Sequence, residues 1–291
     1  MSTSTKLLTM AAAAGLVAAA ATSAPASAAL SGTQAGAGYA PADTATIHPG
    51  VQMYTEGAQC TANFVFTDGS GATYVGYAAH CAGLGEATDT DGCTSPSLPL
   101  GTKVDFVEGG SLVSEGTRVG GGTLVYSSWL TMQQRGETDP DTCAYNDLAL
   151  VRVDAADVAK VNPSIPFWGG PVGINTTGTS AGDTVHSFGN SSLRGGIEVL
   201  SPKQGTSLGT DPSGWTHPVY TVTPGVPGDS GSAFLDAEGN ALGTLSTLAL
   251  APLPGSNGVG DLSRELAYAQ ANGPIAGLRL VPGTEPFSPL L

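Results

Sequence analysis

Basic residues are scarce: ten Lys and Arg stand against 24 Asp and Glu in 291 residues, a formal charge of −14 with His neutral. So few cations cannot readily neutralise a phosphate backbone, which excludes duplex nucleic acid as a partner. Cysteine is limited to positions 60, 81, 93 and 143, with no C-x-x-C pair, so a zinc centre is not expected. H-E-x-x-H is also missing, and no tight His/Cys cluster takes its place. The acidic turn Asp89-Thr90-Asp91-Gly92 lacks the downstream glutamate of an EF-hand and reads as a solvated turn. No metal and no cofactor is therefore expected. Past residue 21 no apolar run approaches the ~20 residues that span a bilayer, and there is no repeat or heptad pattern.

At the N-terminus, Lys6 is the only charge before Asp43, and it precedes an apolar, Ala-rich run that ends in Ala26-Ser27-Ala28. That order is the signature of a secretory leader with an A-x-A cleavage site. Residues 1–28 are therefore expected to be removed from a secreted, extracellular protein that does not remain on the membrane. Residues 29–45 would follow as a mature N-terminal segment or a short pro-segment. Outside the cell, four cysteines are expected to form disulfides. Three pairings are open, and the nearest-neighbour one, Cys60–Cys81 with Cys93–Cys143, is preferred.

What the chain has in plenty is glycine (42) and proline (20), beside 41% hydrophobic residues. That mixture favours many tight turns, and hence short strands rather than long helices. Strand-like runs lie at 62–66, 73–77, 103–107, 122–126 and 147–153. A second set covers 184–188, 198–200, 219–222, 232–235 and 241–248. Between the sets, the prolines and Gly-Gly of 162–171 mark a crossing between two β-units, an arrangement of barrels or sandwiches. One helix is expected, capped by Asp261, with Leu262, Leu266 and Ala269 on its apolar face and Asn272-Gly273 as its stop.

Three short blocks carry candidate chemistry. In Gly228-Asp229-Ser230-Gly231-Ser232, a serine sits in a glycine turn whose Gly228 and Ser230 N–H groups can point one way, as an oxyanion site requires. Serine needs a base within hydrogen-bond reach. His80 follows a strand in Tyr77-Ala78-Ala79-His80-Cys81 and can be pinned by its cysteine neighbour. His48, His186 and His217 read as surface bystanders. Asp147 opens the apolar run 148–151, where a half-buried carboxylate needs a partner such as an imidazole N–H. Asp105 and Asp183 lie near turns and are expected to face water.

Taken together and in this order, the A-A-H-C, N-D-L-A-L-V and G-D-S-G blocks resemble the chymotrypsin/trypsin-like serine proteases of secreted bacterial type. The resemblance runs over approximately residues 47–282. It implies an all-β fold of two six-stranded antiparallel barrels with a short C-terminal helix, the first barrel at 46–160, a linker at 161–171 and the second barrel at 172–291. It further implies a secreted, monomeric serine endopeptidase acting on polypeptides. Ser230 would be the nucleophile, His80 the base, Asp147 the orienting acid, and the Gly228 and Ser230 amides the oxyanion hole. Cys60–Cys81 would be the histidine-loop disulfide. Pro224, Ser246 and Leu248 would line the substrate site, Pro224 standing where trypsins carry an acid and Leu248 narrowing the pocket. No basic residue precedes an Ile-Val-Gly-Gly, so Asp229, if buried, needs an internal cation such as His186 or Arg194. Two other readings remain: a catalytically silent binding module on the same fold, and a secreted esterase using the same three residues.

Overall fold

The computed structural model describes residues 38–85, 90–248 and 254–289. The leader at 1–28, residues 29–37 of the segment after it, and Asp89 of the acidic turn lie outside the described residues. Among the described residues, turn chemistry cuts the chain into short strands. The first group is β1 (Gln52–Thr55), β2 (Ala58–Thr61), β3 (Val65–Thr67), β4 (Thr73–Ala78), β5 (Lys103–Glu108), β6 (Thr117–Ser127) and β7 (Leu148–Val153). The second is β8 (Ala181–Phe188), β9 (Pro202–Leu208), β10 (Thr216–Thr221), β11 (Ala233–Leu235), β12 (Ala241–Leu248) and β13 (Asn257–Asp261), with β14 (Arg279–Leu280) at the end.

The second group closes into a six-stranded barrel in the order β10-β13-β12-β11-β8-β9. The first group is the other, barrel-like unit of the expected all-β fold, with more strands than the expected six. It is an eight-stranded antiparallel sheet, β14-β3-β4-β7-β6-β5-β1-β2. One reason is that the run 62–66 is not a single strand. Ala62 N–H bonds Val51 O (3.0 Å), whereas Asn63 N–H bonds Gly76 O (2.8 Å), so the chain changes partner there. The other is that β14 returns from the C-terminus to pair with β3.

Two further expectations change. Residues Glu198–Leu200 form a 3₁₀ turn instead of a strand, and the ladder partner is the following β9. Besides the expected helix, the described residues hold two short ones, α1 (Ser128–Arg135) and α2 (Pro140–Tyr145). Ser127 caps α1, which ends at Gly136 in the left-handed region (φ 65°). Asp139 caps α2, with Pro140 in its first turn. The expected helix, α3 (Leu262–Asn272), has Asp261 accepting the Arg264 N–H at 2.9 Å.

Packing explains why α3 sits where it does. The barrel interior is filled by Val185, Val219, Phe234, Leu242, Leu245 and Val259. A second cluster brings Leu262 and Leu266 of α3 against Leu148 and Leu150 of β7, with Trp168 and Phe64. Burying side chains of this size stabilises by roughly 1.5–3 kcal/mol each. The apolar face of α3 is thus held against β7, β12 and β13 at once.

Candidate active site

Strand register places the first two candidate residues. In the β4–β7 ladder Ala78 faces Leu148, so the residues just past β4 meet those just before β7. The chain leaves β4 in a 3₁₀ turn, Ala79–Ala82, pinned by the Cys60–Cys81 disulfide. Ala79 N–H donates to Asp147 O at 2.7 Å, and His80 N–H donates to Asp147 Oδ1 at 2.8 Å. The second oxygen, Oδ2, lies 2.7 Å from His80 Nδ1 and accepts the Ser246 hydroxyl at 2.6 Å. Asp147 is only 3% exposed, so these donors supply what water would. Burial alone would lower the His80 imidazole, but the charge and hydrogen bond of Asp147 outweigh it and leave the ring above its ordinary value.

Ser230 comes from the barrel. Its carbonyl accepts Thr61 N–H at 2.8 Å, and the next residue, Gly231, donates to Leu245 O at 2.7 Å. The turn is thereby fixed between the end of β2 and β12. The Gly228 carbonyl is held by Gln59 Nε2 (2.9 Å) and Thr61 Oγ1 (2.7 Å). Gly228 has φ +93°, and a Cβ there would fall 2.2 Å from Gln59 Oε1, so no other residue fits. With the carbonyl turned toward Gln59, the N–H groups of Gly228 and Ser230 find no hydrogen-bond partner among the described residues. His80, Asp147, Gly228, Ser230 and Ser246 line one cavity of about 500 Å³. No hydrogen bond of 3.5 Å or less joins Ser230 Oγ to His80 among the described residues. Such bonds are often long in ligand-free enzymes and tighten around substrate.

Asp229 is fully buried and meets two cations, Arg194 and Lys203, the latter at 3.1 Å. Ser191 and Val226 N–H groups add hydrogen bonds of 3.0 Å each. Of the two suggested partners Arg194 is present and His186 is not. His186 and His217 are buried rather than at the surface. His186 packs edge-on against Trp168, and His217 Nε2 sits 3.1 Å from Asp261. Asp105 is exposed beside Arg118, as expected of a water-facing acid.

The substrate-side residues differ in part from expectation. Ser246 and Leu248 line the cavity, with Leu248 41% exposed at its rim. Pro224 does not line it; its carbonyl accepts from Arg194 instead. Asn257, which sequence reasoning missed, also lines the cavity and is buried. Its side chain accepts Gly225 N–H (2.7 Å) and donates to Thr247 O (3.2 Å), bridging the two walls. Lys203 and Glu265 were also missed. Of these, only Glu265 had a visible signal, an acid on the apolar face of a helix. The cysteines near His80 cannot bind metal, since Cys60–Cys81 and Cys93–Cys143 are both disulfides.

No family model matches the chain, and no curated protein matches it. Solved structures do. Protease A of Thermobifida fusca is 20% identical over 81% of this chain and 99% of its own, with a TM-score of 0.45. Nocardiopsis protease is 19% identical over 80% and 98%, with a TM-score of 0.45. A Cellulomonas bogoriensis chymotrypsin is 19% identical over 81% and 98%, with a TM-score of 0.44.

Replacing Asp229 by Asn would leave two buried cations without their anion. The expected loss is about 3–5 kcal/mol of folding stability, read as a lowered denaturation midpoint.

Proposed function

We propose that the chain is an exported serine endopeptidase with His80, Asp147 and Ser230 as its catalytic residues. The observation that supports this most directly is the convergence, in one cavity, of an Asp147-bonded imidazole, the Ser230 hydroxyl and two N–H groups with no partner among the described residues. Ser230 Oγ attacks the acyl carbon while His80 Nε2 takes its proton and later passes it to the leaving amine. Asp147 holds the ring with its proton on Nδ1. The Gly228 and Ser230 N–H groups receive the charge that develops on the carbonyl oxygen. Water then releases the acyl group by the same proton route. Two disulfides fit an oxidising compartment, and among the described residues no helix is long and apolar enough to cross a membrane.

The pocket beside Ser230 suits a small side chain. Asn257 and Leu245 occupy its depth, and a Cβ on Gly225 would already fall 2.7 Å from Leu245 and 2.9 Å from Asn257. Leu248 is 41% exposed where it lines the cavity, which favours an open site over the silent-module reading.

A fluorophosphonate probe is expected to label Ser230, and Ser230→Ala to abolish the labelling; a variant that still reacts sinks the assignment. Because only the neutral imidazole accepts a proton and Asp147 raises its pKa, activity should fall on acidification with a midpoint above the unperturbed value of about 6.5. A pH–rate profile checks this. In a peptide library, cleavage after Ala, Ser or Val should exceed cleavage after Phe, Lys or Arg by roughly tenfold or more.

A further inference from the structure

Glu265 is fully buried on the face of α3 that points at the active site, and the mechanism above leaves it unused. Its Oε1 accepts the main-chain N–H of Asp147 at 3.1 Å. Its Oε2 accepts the Thr244 hydroxyl of β12 at 3.0 Å, and that hydroxyl oxygen accepts from Asn63 Nδ2 at 3.2 Å. Asn63 precedes β3 and is itself fully buried. A continuous chain of hydrogen bonds therefore runs from the eight-stranded sheet, through the barrel and the helix, to the backbone of the residue that grips His80. The fold makes room for it. Gly260 faces Thr244 across the β12–β13 ladder, and a Cβ there would lie 2.5 Å from Glu265 Oε1.

We propose that Glu265 is a positioning residue for Asp147, holding its main-chain N–H from α3 and tying both β-units to that point through Thr244 and Asn63. This rests on reading Asp147 as the group that orients His80. Its surroundings favour the un-ionised carboxyl. The ionisable groups that face it are Asp147 across the bond, Asp261 at the helix N-cap (itself bonded to His217) and Tyr126 on β6; none of the three carries a positive charge. Burial, with the adjacent Asp147 charge, pushes the Glu265 carboxyl well above its ordinary value. Two ionised carboxylates this close would repel, a further reason for the Glu265 carboxyl to stay neutral. When the carboxyl is protonated, the Thr244 hydroxyl can turn so that Oε2–H donates to its Oγ1 in place of the bond it donates to Oε2, while Oε1 still accepts from Asp147.

The test compares Glu265→Gln with Glu265→Leu in the full chain, following the His80 imidazole titration by NMR and kcat and KM on a small-residue substrate. Gln keeps an acceptor for Asp147 and a donor for Thr244, so the His80 midpoint and kcat should stay near wild type. Leu removes both bonds. Asp147 then grips His80 less well, the midpoint moves to lower pH, and kcat falls by roughly tenfold or more with KM little changed. If the Leu variant does not fold, Thr244→Val breaks the same chain one bond further out and should move the midpoint in the same direction by less. A folded Leu or Val variant with His80 titration unchanged overturns the proposal, as does a Gln variant that behaves like Leu. The NMR readout needs no turnover. An inert wild-type chain that also escapes the fluorophosphonate probe would refute the protease reading and leave the positioning role to be decided by the titration alone.

Discussion

A carboxylate held away from water must be surrounded by donors, and the arrangement of this molecule follows from meeting that demand at Asp147. The His80 main chain and ring come from the end of β4, and the Ser246 hydroxyl comes from β12. Two of these donors belong to His80 and the third to Ser246, so the carboxylate is satisfied only when sheet and barrel are both assembled. Isolated buried ions are costly enough that the alternative is protonation or local unfolding. The same requirement that stabilises the charge therefore fixes the imidazole.

A second buried acid governs the neighbouring turn. Asp229 follows Gly228 directly, and its two cations and two backbone donors fix the path of residues 226–230 from below. From above, Gln59 and Thr61 hold the Gly228 carbonyl. Between these clamps the main chain has little freedom, and the direction of its N–H groups is a product of both. Burial lowers the Lys203 ammonium while Asp229 counteracts it and Arg194 adds to the lowering, which is the signature of two cations sharing one anion.

The residues that were legible in sequence are those whose context is local. His80 ends a strand beside a cysteine, Asp147 opens an apolar run, and Ser230 sits in a glycine turn; each can be picked out within a window of about seven residues. The helix at 262–272 was legible for the same reason, since cap, periodicity and stop all lie inside it. What escaped is long-range. Lys203 lies in a strand with ordinary alternation, and its burial arises only because Asp229, 26 positions away, folds over it. Asn257 reads as part of a Ser-Asn-Gly turn, yet it starts β13 and bridges Gly225 to Thr247. The Val199-Leu200 pair looked like a strand because apolar, β-branched residues favour one, but tertiary pairing was claimed by β9. Gln52–Thr61 and the C-terminal pairing with β3 were missed because partner choice in a sheet is not written in either strand alone. Glu265 stands between them: its place one turn from Leu262, on the apolar face, was visible, but what it would bond was not.

The closing segment of the chain returns to its beginning: β14 completes the edge of the sheet at β3, and α3 reaches back to the Asp147 backbone. In order of synthesis, His80 and Asp147 leave the ribosome well before the helix and strand that finish their surroundings. A nascent polypeptide ending before residue 262 carries both side chains but has neither the Asp147 main-chain partner nor the covered sheet edge. The surroundings of Asp147 and the edge of the sheet are therefore complete only once the chain has been made through residue 280.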